Sequence, residues 1–179
     1  MDKISIQDKH FELLIPHKKI SSAVSRIAGR MNSELTGKDV LFLGILNGAF
    51  MFASALLQLI RFPCRISFMK LVSYQGTSST GTIKRLIGLN ENITGKTVVV
   101  LEDIIDSGLT ITSIIHQLSG FDPAEIRIAT LLIKQENFHE NLKVDYTGLE
   151  IPDVFIIGYG LDYNGYGRNL LNIYKIIDS

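Results

Sequence analysis

The sequence predicts an α/β fold: a twisted, mainly parallel sheet with helices on both faces. Three observations lead to it. Short apolar runs alternate with stretches of helical periodicity along the chain. Several of those runs are apolar at every position, which is how strands covered on both faces read. Strand–helix–strand alternation favours parallel pairing, because a parallel partner is reached through a crossover.

The elements follow in chain order. The N-terminal stretch is mixed polar and charged. Ile20, Ala23, Val24, Ile27, Met31 and Leu35 recur at spacings of three and four and so share one helix face. Val40–Leu46 reads as a buried strand, and residues 49–60, apolar nearly all round, as a deeply packed helix. Residues 66–72 read as a strand. Residues 73–84 (SYQGTSSTGTIK) are too polar for a core and have no apolar periodicity. They are expected to form a surface loop, read as an active-site lid, the alternative being a plain long hairpin connection. Residues 97–102 form the next strand. A helix stripe follows at Ile111, Ile114, Ile115 and Leu118, ended by Gly120 and Pro123. Residues 126–133 and 154–157 complete the strands.

Composition narrows the function classes. The chain has 179 residues, enough for one domain with a full core. Lys+Arg and Asp+Glu both total 18, so the basic excess of a nucleic-acid binder is missing. The N-terminus lacks the apolar stretch of a signal peptide, and the longest apolar runs, Val40–Leu46 and 154–161, fall well short of a membrane span of about 20 residues. The single cysteine, Cys64, forms no internal disulfide and is expected to be buried and inert. His10, His17, His116 and His139 show no metal-ligand spacing. A cytoplasmic globular protein is the reading.

Residues 97–110, TVVVLEDIIDSGLT, carry the chemistry. An apolar strand runs into Glu102 and Asp103. Two apolar residues follow, then Asp106, Ser107, Gly108, Leu109 and Thr110 ahead of a helix. At a helix N-terminus, unpaired N–H groups and the helix dipole attract an anion. Gly108 lets the backbone come close to a phosphate, and Ser107 and Thr110 add hydroxyl donors. Three acids beside an anion site need a further purpose. Ribose hydroxyls and a divalent cation supply one, since Mg²⁺ takes a few carboxylates together with ligand oxygens and water. The plainer reading makes Glu102 and Asp103 the cap of a strand and Asp106 a helix N-cap.

This motif resembles the phosphoribosyl pyrophosphate (PRPP) motif of type I phosphoribosyltransferases, and its form EDIIDSGLT resembles that of the hypoxanthine (or hypoxanthine-guanine) phosphoribosyltransferases. The resemblance extends over residues 16–177. It implies that Glu102 and Asp103 lie near the ribose hydroxyls and the Mg²⁺ water shell. It also implies that residues 106–110 hold the 5′-phosphate and that Asp106 is the general base near purine N7.

Further segments carry implied roles in the same way. Leu46-Asn47-Gly48-Ala49 resembles the pyrophosphate loop, with Asn47 where many members have Lys, and the family often has a cis peptide there. Ser73 and Tyr74 resemble the head of the lid. Lys134 ends the strand 126–133 and would donate to the base's exocyclic oxygen, favouring six-oxopurines. In residues 151–168 (IPDVFIIGYGLDYNGYGR), Phe155 would stack on the base and the Ile156 backbone would bond its edge. Asp162 would bind a metal ion near the base, and Arg168 would meet pyrophosphate. Read without the family, Phe155 is core and residues 162–165 are a turn.

The resemblance implies a Mg²⁺-dependent purine-salvage enzyme. It would transfer phosphoribose from PRPP to hypoxanthine or guanine, as a homodimer or homotetramer without nucleic-acid or membrane partners. A small hood, from the N-terminal stretch and residues after about 143, would cover the base. The alternatives are a xanthine-preferring or pyrimidine transferase, and a non-catalytic PRPP- or nucleotide-binding regulator of the same fold.

Overall fold

A computed structural model describes residues 3–75, 82–134 and 142–177. In chain order the elements are β1 (Lys3–Ile6), β2 (Lys9–Ile15), α1 (His17–Glu34), β3 (Val40–Leu46), α2 (Phe50–Leu57), β4 (Arg65–Gln75) and β5 (Thr82–Ile87). They continue with β6 (Thr97–Ile105), α3 (Leu109–Ser119), β7 (Glu125–Lys134), β8 (Tyr146–Ile151), β9 (Ile156–Ile157) and β10 (Ile173–Ile177).

The larger sheet has six strands in the order β5-β4-β3-β6-β7-β8. All neighbours pair in parallel except β5, which is antiparallel to β4 at one edge. The uninterrupted apolar strands are explained by what covers them. Val40 and Phe42 of β3 and Val99 and Leu101 of β6 pack with α1 and α2 on one face. Leu41, Leu43 and Ile45, with Val98 and Val100, meet Ile111, Ile114 and Leu118 of α3 on the other. The helix stripe expected from Ile20 to Leu35 is the buried face of α1.

Burial also constrains polar groups. The Tyr146 ring, at the start of β8, is fully buried against α1. Its hydroxyl donates to Glu34 (2.9 Å) and accepts from Arg127 (2.8 Å), and Arg127 also meets Glu34 directly at 2.9 Å. A buried phenol is tolerated because its polar end finds partners.

The smaller sheet is antiparallel, in the order β1-β2-β10-β9, with a core of Phe11, Ile157 and Tyr174. It joins the two ends of the chain. β8 pairs with β7 in the larger sheet, so the C-terminal contribution to the smaller one begins after Ile151, later than about 143.

Several expectations need correction. β4 runs on to Gln75 and pairs with β5, so residues 73–75 and 82–84 are strand and not loop. An edge hairpin satisfies its backbone by cross-strand bonds and needs no apolar alternation. The remaining lid stretch, 76–81, lies outside the described residues. The strand expected at 97–102 extends through the acids to Ile105, paired with Ile133. The helix expected at 49–60 is shorter, and strand residues at 154–157 shrink to Ile156–Ile157. Cys64 is exposed and not buried, although partial desolvation still raises its thiol pKa. It sits in the irregular connection just before β4.

Replacing Tyr146 by Phe removes one phenolic hydroxyl and leaves the Arg127–Glu34 pair in place. A loss of about 1 kcal/mol in urea unfolding is expected. Tyr146→Ala, which empties the ring's space, is expected to cost about 3–5 kcal/mol.

Candidate active site

In the larger sheet, β3 and β6 are neighbours, and the chain leaves them in opposite directions, toward β4 on one side and β7 on the other. Loops diverging from such a switch point leave a crevice beyond the strand ends. A cleft of about 400 Å³ lies there. Its walls are the end of β3 with Asn47 and Gly48, and the end of β6 with Glu102, Asp103, Asp106, Ser107, Gly108 and Thr110. Two separate stretches of sequence thus meet in one pocket, and Asp106 and Thr110 share it. The Leu46–Asn47 peptide is cis.

The loop after β6 turns sharply into α3. Gly108 is the N-cap, in the left-handed region at φ 83°, where a Cβ would be strained. No side chain caps the helix. Among the described residues the Ser107 hydroxyl accepts a long bond from the Leu109 N–H, at 3.5 Å, and the Leu109 side chain is exposed. The first-turn amides therefore face the cleft side of a helix N-terminus, an anion-attracting arrangement. Asp106 is not the N-cap, which removes the plainer reading of that residue.

Glu102 and Asp103 lie within β6 and not beyond it. Burial, and secondarily the neighbouring Asp103, pushes the Glu102 carboxyl well above its ordinary range. Burial raises Asp103 to about 6, partly offset by the Ile104 N–H bond to its Oδ1 (2.9 Å) and by the charge of Arg168; Asp162 acts in the raising direction. At both positions burial outweighs whatever donors and positive charge surround the carboxyl. Gly48 packs against Asp103 so closely that a Cβ there would fall 1.5 Å from Oδ2.

Residues 158–168 lie beside the cleft, with Gly160 packed against the Gly48 backbone and the Arg168 charge acting on Asp103. Arg168 donates to the Gly160 carbonyl (2.7 Å) and pairs with Asp162 (2.6 Å). Asp162 also accepts from the Gly165 N–H at 2.6 Å, so residues 162–165 do form a turn. That turn is tied to the β1–β2 hairpin, where Tyr163 donates to Asp8 (2.9 Å) and Asn164 to Gln7 (3.0 Å). Phe155 is 46% exposed, edge-on to Tyr163 (6.0 Å) and 6.5 Å from Phe11, so it is not core. Ile156 lies on β9, the edge strand of the smaller sheet, so one side of its backbone has no strand partner there.

Lys134, the last residue of β7, reaches Asp106 at 3.3 Å and Asp153 at 2.8 Å. Burial opposes its charge, but the two carboxylates outweigh that and raise its pKa. Asp153 was missed from sequence. Its one signal was an acid two residues before the exposed aromatic Phe155. Ser73 and Tyr74 lie on β4, away from the loops that wall the cleft in sequence, and residues 76–81 are outside the described residues. Among the described residues no cluster of three or more His, Cys, Asp or Glu side chains forms a metal site, and no helix is long and apolar enough to cross a membrane. His139 lies outside the described residues.

The family model "Phosphoribosyl transferase domain" matches residues 12–164. Hypoxanthine-guanine phosphoribosyltransferase of Mycobacterium bovis is 39% identical over 139 residues, covering 77% of this chain and 69% of the relative. Hypoxanthine phosphoribosyltransferase of Escherichia coli is 36% identical over 169 residues, covering 93% and 95%. A crystal structure of a hypoxanthine-guanine phosphoribosyltransferase from Bacillus anthracis superposes with a TM-score of 0.84 at 33% identity, covering 93% of this chain and 97% of that one. Sequence, fold and the cleft beyond β3 and β6 agree: this chain belongs to the phosphoribosyltransferase family.

Proposed function

We propose that the protein is a purine-salvage transferase that moves the phosphoribosyl group of PRPP onto hypoxanthine or guanine, giving the nucleoside monophosphate and pyrophosphate. One observation carries the reading. The amide- and hydroxyl-lined turn 106–110 shares a cleft with Glu102 and Asp103, and Lys134 stands beside Asp106 at its rim. The names of the relatives favour this over a xanthine-preferring transferase or a regulator. In the same reading the protein acts in the cytoplasm as a homodimer or homotetramer.

Each chain feature has a task. The 107–110 amides and hydroxyls bind the 5′-phosphate. Glu102 and Asp103 face the ribose hydroxyls. Asn47 and Gly48 line the pyrophosphate side, and Arg168 offers a planar guanidinium to the same group. Phe155 presents its face to the base, the open edge of β9 at Ile156 bonds the base edge, and Lys134 donates to the exocyclic oxygen. The smaller sheet acts as the hood, and the β4–β5 hairpin with Ser73 and Tyr74 acts as the lid. Closure keeps water from the reacting carbon.

Mg²⁺ fits this donor set. Two under-compensated carboxylates, with Asp162 near them electrostatically, suit a hard cation that also needs oxygens from its ligand. Glu102, Asp103 and Asp162 would hold it, directly or through water, and it would supply charge neutralisation for pyrophosphate. In the transfer, purine N9 attacks the anomeric carbon while the carbon–oxygen bond to pyrophosphate breaks. That electron pair leaves with pyrophosphate, and Asp106 accepts the proton shed from N7.

The reading is tested by assaying hypoxanthine, guanine, xanthine and adenine with PRPP. Monophosphate formation is expected from the first two and should be lost on chelation of Mg²⁺; no transfer to any base would refute it. Asp106→Asn should lower kcat about 100-fold or more while PRPP affinity stays within a few-fold, by isothermal titration. Lys134→Ala should raise the base KM with little change in PRPP affinity.

The acids give a pH prediction. Asp103 has a folded pKa of about 6 against an ordinary 3.8. It therefore contributes its stability below about pH 4 and loses it as the pH rises through 6. Thermal melts without Mg²⁺ should show Asp103→Asn more stable than the unaltered protein at pH 7.5, with the gap closing toward pH 4. A gap independent of pH would show that the carboxylate is not held in this unfavourable setting.

A further inference from the structure

Lys134 is shared between two carboxylates, and only one of them belongs to the chemistry described above. Its side chain is 11% exposed, whereas Asp106 and Asp153 are 52% and 47% exposed. The cation is thus the fixed member of the trio, held at the end of β7 with its stem inside the protein. Its bond to Asp153 is the shorter, 2.8 Å against 3.3 Å. Asp153 is itself set in place. It is the central residue of a tight turn closed by the Val154 N–H to the Pro152 carbonyl at 2.9 Å. That turn leads from β8 toward Phe155 and β9, so it spans from the larger sheet to the smaller.

We propose that Asp153 is a positioning residue for base recognition, holding the Lys134 ammonium where it meets the base's exocyclic oxygen and keeping it from closing onto Asp106. The inference rests on the functional reading above. An ammonium carries three N–H donors. With one on Asp153 and one on Asp106, the third is free for a carbonyl oxygen. A base entering between Lys134 and Phe155 takes that third donor, while the short bond to Asp153 and the longer one to Asp106 remain. Without the Asp153 charge, a largely buried ammonium has Asp106 as its remaining strong partner here, and the attraction between them grows in a medium less polar than water. The base then has to break that pair to bind, and Asp106 is less available to accept a proton.

The test is a cycle of four proteins assayed with hypoxanthine and PRPP: unaltered, Asp153→Asn, Lys134→Ala and the double variant. Asp153→Asn is expected to raise the hypoxanthine KM about tenfold, a charge-assisted hydrogen bond's worth, with PRPP KM unchanged within about twofold. In the Lys134→Ala background the same substitution should do nothing further to the hypoxanthine KM. Asp153→Glu, which keeps the charge, should recover part of the loss. An unchanged KM in Asp153→Asn, or the same increase with Lys134 absent, would overturn the inference. The second result would mean that Asp153 acts on the turn and not through the lysine. Absence of transfer by the unaltered protein is a separate outcome, which would remove the functional reading and this inference with it.

Discussion

The parallel pairing of β3 with β6 governs this molecule. The ladder from Val40↔Thr97 to Gly44↔Leu101 aligns two strands whose continuations part company, and the crevice follows from that divergence. Because both strands are buried on both faces, their register is fixed by packing against α1, α2 and α3. The cleft residues inherit that rigidity. Glu102 pairs with Thr130 of β7, and Asp103 lies between it and the paired Ile104, so their backbones are held in place when a ligand arrives.

Rigidity here coexists with electrostatic imbalance. In and beside one cleft the chain places two carboxylates with raised proton affinity, an uncapped helix N-terminus and, close enough to act on Asp103, an arginine already paired with Asp162. None of these is at rest by itself. A ligand carrying a phosphate, diol oxygens and a bound divalent cation would satisfy all of them at once. Pre-organised groups of that kind cost stability in the free protein and return it as binding and catalysis.

Much of this was legible in the sequence, and the exceptions have physical causes. Four of the five parallel strands, β3, β4, β6 and β7, and the phosphate turn were readable because burial on two faces and a Gly at a strand–helix junction leave local signatures. β1, β2, β5, β8 and β10 were not read as strands, since edge and antiparallel strands with one wet face carry mixed composition. The extension of β6 past Glu102, through Asp103 to Ile105, was hidden because charged residues rarely occupy a central strand. Phe155 and Arg168 reach the site only through tertiary packing, so the family resemblance found them and periodicity could not. Asp153 escaped both routes, because its partner is a lysine on a strand that precedes it by nineteen positions in sequence.

The close seat of Gly48 against Asp103 joins two positions that the chain keeps far apart. Neither can be varied freely. Any side chain at 48 has to evict the carboxylate, and a smaller residue at 103 opens room that lets 48 change. Substrate-range engineering of this scaffold would therefore do well to randomise the pair together, since at position 48 alone every added side chain meets the Asp103 carboxylate.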